Sequence, residues 1–158
     1  MHANVLASLI AVAISAPAVA RSNGAFVVKQ SYAGFVAPDY IRNEKCELYA
    51  DHVVITKDFG PDNSLVERRA ITLTGDVGAL IERATGETVT STPNLICDGP
   101  STTILTYRGG DGDTPTGPTL FQTGGCGTPT EKRDGGASQI LTAIIDNYCP
   151  TTYQAARP

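Results

Sequence analysis

His52 stands beside Asp51, and an imidazole next to a carboxylate is a pairing that general-base catalysis uses. A base also needs a nucleophile or a bound water within hydrogen-bond reach. No serine here lies in a G-x-S-x-G or S-x-x-K setting. Asp51-His52 therefore reads as the polar turn of a hairpin, where such residues are favoured for their backbone geometry. Asp111 and Asp113 alternate in the glycine-rich stretch from Gly109 to Thr114, as oxygen ligands do in calcium loops. No third carboxylate follows at the required spacing and Pro115 interrupts, so the stretch reads as a flexible hairpin loop and no cofactor is implied. The flanking cations Arg108 and Lys132 suggest another chemistry. A loop from Gly109 to Arg133, braced near Cys126, could present one of them to a hydrolase, as secreted inhibitors do to limit the entropy lost on docking. Arg108, Asp111, Asp113 and Lys132 are thus the candidate binding residues, and no catalytic residue is assigned.

The four cysteines, Cys46, Cys97, Cys126 and Cys149, have no CxxC spacing and no histidine partner, which argues against a zinc or redox site. Their even number points to two disulfides if the chain is exported. Hairpin symmetry about residue 113 places the partner of Cys97 near Cys126. The pairs expected are then Cys97–Cys126 and, by elimination, Cys46–Cys149.

Export is expected from the first twenty residues. Val5 to Ile14 form an uncharged apolar run too short to span a bilayer, Pro17 breaks it, and Ala18-Val19-Ala20 offers the small-x-small pattern of a cleavage site. Residues 1–20 are read as a signal peptide and 21–158 as one exported domain, in the periplasm or outside the cell. The absence of an N-x-S/T acceptor agrees with a bacterial source. The formal net charge of −4 belongs entirely to residues 21–158, and without clustered Lys and Arg it excludes nucleic acid as a partner. No later stretch is apolar enough to cross a membrane.

Two helices must position these groups. Val77, Leu80, Ile81 and Ala84 form one helical stripe, with Asp76 at the N-cap and Gly86 at a left-handed C-terminal position. Ala137, Ile140, Leu141, Ile144, Ile145 and Tyr148 form another, capped by Ser138 or Asp134 and stopped by Pro150. Strands are expected at 45–50 and 53–58 as a hairpin, at 66–74 with Val66, Ile71 and Leu73 inward, and at 87–91 as an edge. Residues 102–108 and 119–123 read as a second hairpin. The N-terminal segment 21–44 reads as one strand followed by irregular chain. Glu67-Arg68-Arg69 and Glu131-Lys132-Arg133-Asp134 read as solvated charge.

The order predicts an α+β fold: a small antiparallel sheet with two short helices packed on one face and two disulfides. Strand, hairpin and helix recur in each half, which hints at duplication, though residue identity between the halves is low. Three functions follow from these readings. They are a non-catalytic binding or envelope-associated module for a protein or small-molecule ligand, a secreted hydrolase inhibitor using residues 109–133, and a small enzyme.

Overall fold

A computed structural model of the chain describes residues 24–34, 42–60, 63–95, 100–108, 115–123 and 127–150. The proposed signal peptide, Asp111, Asp113 and both members of the expected Cys97–Cys126 pair lie outside these residues. Along the chain come β1 (Val27–Tyr32), β2 (Asn43–Leu48), β3 (His52–Gly60), β4 (Asn63–Ala70) and α1 (Val77–Thr85). Then follow β5 (Thr88–Thr92), β6 (Ser101–Thr106), β7 (Phe121–Gln122), β8 (Thr130–Asp134) and α2 (Gly136–Tyr148). The strands form one sheet in the order β4-β3-β2-β1-β6-β7-β8-β5, antiparallel throughout.

The α+β class expected from sequence is the one observed, but the sheet is not small. It has eight strands. The strand expected in the N-terminal segment is β1, and it lies at the centre between β2 and β6. The charged run 131–134 is the body of β8, sandwiched between β7 and β5. Its solvent-facing side chains hid a strand whose backbone is paired on both sides. The third strand runs over 63–70 rather than 66–74. The halves each hold four strands and a helix, yet they are not wired alike. From the centre outward the first reads β1, β2, β3, β4 and the second β6, β7, β8, β5. A tandem repeat would set β5 beside β1, so topology gives the duplication no support.

Alternation along the strands sets one buried face. Val27 lies opposite Leu48, Leu48 opposite Val53, and Cys46 opposite Ile55, so these side chains share one side of the sheet. On that side they meet Val77, Ile81 and Ala84 of α1 and Ala137, Leu141 and Ile145 of α2 in one core. Both helices therefore cover the same face. Each fully buried Leu, Ile or Val stabilises this arrangement by about 1.5–3 kcal/mol. Val66 was expected inward and is 62% exposed. The register sets Arg69 and Glu67 opposite Val53 and Ile55, which turns Val66 to the other side. Ile71 and Leu73, beyond the strand, do pack against the core. In α2 the stripe departs at one residue: Ile140 is 48% exposed, while Ser138 is buried.

Asp76 caps α1 as expected, its carboxylate accepting from the Ala79 amide at 2.9 Å. Gly86 closes it with φ −87°, a right-handed conformation, so the left-handed cap is not formed. Neither Ser138 nor Asp134 caps α2. Its first turn is held by Glu87, whose carboxylate accepts from the amides of Ala137 (2.8 Å) and Ser138 (2.9 Å) and from the Ser138 hydroxyl. Asp134 instead accepts from Thr90 and pairs with Lys132.

The other end of α2 is fixed to the sheet twice. Cys46 of β2 is disulfide-bonded to Cys149, with Cα atoms 5.9 Å apart and a sequence separation of 103. The buried Lys29 of β1 donates to the Asp146 carboxylate at 2.6 Å and to the Cys149 carbonyl at 3.1 Å.

Candidate functional site

The two helices leave the opposite face of the sheet uncovered by helix, and its polar side chains follow from period-two spacing on strands whose other face is buried. Lys45 and Glu47 of β2 project there and pair at 2.8 Å. One step further along, the tight turn closed by the Tyr49 amide to the His52 carbonyl (2.9 Å) brings the Tyr49 and His52 rings into a parallel stack. Their centroids are 4.3 Å apart and their planes differ by 7°. His52 is the first residue of β3 and not part of a projecting turn.

Both nitrogens of His52 are engaged. Nδ1 lies 2.6 Å from Asp51 Oδ1 and Nε2 lies 2.9 Å from Arg68 Nη2. A guanidinium only donates, so Nε2 accepts and the proton sits on Nδ1, donated to Asp51. The Asp-His pairing noticed in the sequence thus exists, but the nitrogen lone pair a general base would use is already held by Arg68.

Two groups on this face have shifted pKa values. The hydrogen bond to Glu47 raises the Lys45 pKa above its ordinary value, against the opposing effect of burial. Burial, reinforced by the Glu47 carboxylate, raises that of Tyr49, while Lys45 and Arg68 act against the shift. Tyr107 is close enough to Lys45 to add to its field. At neutral pH Lys45 is therefore an ammonium and Tyr49 a neutral phenol.

Beyond Lys45 the surface sinks into a concavity of about 300 Å³. Gln30, Ser31 and Tyr32 of β1, Asn43, Glu44 and Lys45 of β2, and Ser101 and Thr103 of β6 line it. The one ionised side chain on its helix-free side, Lys45, is paired with Glu47. Glu44 and Ser31 border it through their backbone, their side chains turning to the other face, where Glu44 pairs with Lys57 at 3.7 Å and Ser31 shares a hydroxyl hydrogen bond with Thr102 at 3.2 Å. Arg42, next to Asn43, has a buried Nε with no partner among the described residues.

The candidates read from sequence fall elsewhere. Arg108 pairs with Glu82 of α1 at 3.2 Å and donates to the Thr85 hydroxyl at 3.3 Å, which fastens the end of β6 to that helix. Lys132 stands in β8, paired with Asp134 at 2.9 Å, and lines a smaller hollow of about 200 Å³ with Val89, Thr119, Glu131 and Arg133. Among the described residues, 115–133 include β7 and most of β8, and Leu120, just before β7, is fully buried. Sequence reasoning missed Lys45, Glu47 and Tyr49, although their alternation was the signal that could have found them. Among the described residues no group of three or more His, Cys, Asp or Glu side chains is placed to hold a metal ion. No helix among the described residues is long and apolar enough to cross a membrane. Compared with protein-family models, curated proteins and solved structures, the chain matches none.

Proposed function

We propose that this chain is an exported, non-catalytic binding module of the cell envelope or its surroundings, and that it binds through the helix-free face of its sheet. The observation that carries this reading is the continuity of the Tyr49–His52 stack, the Lys45–Glu47 pair and the 300 Å³ concavity on one face, opposite the face both helices occupy. Ligand sites are concave and fix their ligands with a few convergent polar groups, and this recess supplies the concavity and the polar groups. The engagement of both His52 nitrogens favours binding over catalysis. The Cys46–Cys149 bond supports export, because disulfides persist in oxidising compartments and are rare in the cytosol.

The test compares capture from native envelope and medium by the immobilised, oxidised protein and by three variants. Lys45→Ala and Tyr107→Ala lie on the proposed face, and Ile140→Ala lies on the exposed side of α2. The reading predicts that the first two lose the ligand and the third keeps it. Loss confined to Ile140→Ala would place the binding surface on the helices.

A further inference from the structure

Resting on that reading, we infer that the concavity framed by β1, β2 and β6 takes a neutral saccharide. Its helix-free side offers amides from Gln30 and Asn43, hydroxyls from Tyr32 and Thr103, and one ammonium, that of Lys45, which Glu47 neutralises. Among the described residues the side chains of these four are not committed to one another or to a neighbouring side chain. An amide and a hydroxyl each donate and accept, and a sugar hydroxyl does the same, so the two sets can satisfy each other at every position.

The alternatives fit less well. An anionic ligand needs a cation to spare, yet Lys45 is already neutralised by Glu47. An apolar ligand would cover the amides of Gln30 and Asn43 and leave them without partners. Tyr32, 41% exposed, adds a ring face on which the C–H side of a pyranose can lie. The volume of about 300 Å³ sits at the lower end of the range for ligand pockets and suits a mono- or disaccharide.

The experiment titrates the oxidised full chain with maltose, cellobiose and N,N′-diacetylchitobiose, following backbone amide shifts by NMR. A sulfated heparin disaccharide serves as the anionic comparison, since the nearby Arg42 has a buried Nε with no partner among the described residues. At least one neutral sugar should bind with a Kd of about 1 mM or tighter, shifting Gln30, Tyr32 and Thr103. Asn43→Ala and Thr103→Val should each weaken it about tenfold. Tighter binding of the sulfated probe at the same amides overturns the ligand class and leaves the binding face standing. Sugar-induced shifts confined to α1 and α2 overturn both. Failure of all three neutral sugars overturns the saccharide inference alone, because the capture experiment judges the face independently.

Discussion

Glu87 and Ser138 are 51 residues apart, and the Glu87 carboxylate receives both the amide and the hydroxyl of Ser138. The Ser138 amide and the Ala137 amide are among the free backbone groups that any helix leaves at its start. The preceding glycine makes room for the contact: a Cβ on Gly135 would overlap the Glu87 carboxylate. Since Gly135 has an extended φ of −165°, the restriction is steric and not conformational.

Replacing Glu87 by Ala should lower the melting temperature by several degrees. Gly135→Ala should do nearly the same by evicting the carboxylate. Because both act on one contact, the double variant should be little worse than either single one. Hydrogen bonds from Ser138 and the two amides hold the Glu87 carboxyl below its ordinary value of 4.5. A depressed carboxyl stabilises the fold at pH above its unfolded value and loses that effect as pH falls through the folded one. The gap between wild type and Glu87→Ala in thermal scans should therefore be full at neutral pH and close in acid.

Reduction, or the Cys46→Ser/Cys149→Ser double substitution, should destabilise the domain by about 2–5 kcal/mol, because the bond closes a loop of 103 residues in the unfolded chain. Denaturant unfolding with and without a phosphine reductant measures this. An unchanged midpoint would show that the hydrophobic core alone holds α2 to the sheet.

Lys29 and Asp146 should respond unequally. The Lys29 side chain is 8% exposed and that of Asp146 is 52% exposed. Asp146→Ala leaves a buried ammonium with only the Cys149 carbonyl and should cost about 3 kcal/mol. Lys29→Met removes the buried charge itself and lets Asp146 turn to water, so it should cost less. Chemical denaturation of both variants gives the order.

Glu47 should be visible in alkaline titrations of its neighbours. It raises the pKa of both Lys45 and Tyr49. Groups whose folded pKa is raised above the unfolded values of 10.5 and 10.0 stabilise the fold below those values and stop doing so as pH climbs through the folded ones. Glu47→Gln should shift the Tyr49 phenolate absorbance and the Lys45 amine resonance to lower pH, and its loss of stability should be full at neutral pH and fade as pH climbs through the folded values.

How much of this was legible depends on where each determinant lay along the chain. The helical stripes at 77–84 and 137–148, the Asp76 cap, both hairpins and the edge strand near residue 88 are local patterns, and the structure contains them. The Cys46–Cys149 pairing followed from hairpin symmetry and elimination, which needs only the order of elements. What escaped depends on partners distant in sequence. Glu87 caps α2 across 50 residues, and no window of sequence contains both. β8 has no apolar alternation, since its stability comes from backbone pairing with β5 and β7. Val66 is as apolar as any core residue, and only the register with β3 turns it outward. The Lys45, Glu47, Tyr49 alternation was visible, but a polar face on a strand reads as plain solvent exposure until the other face is known to be closed by helices.

The most direct test places a photo-crosslinking benzophenone amino acid at Thr103, on the proposed face, and in a second variant at Ile140, on the outer side of α2. Each oxidised protein is irradiated in native envelope extract. The account predicts adducts from position 103 that free wild-type protein suppresses, and none from position 140. Suppressible adducts from 140 with none from 103 would contradict it.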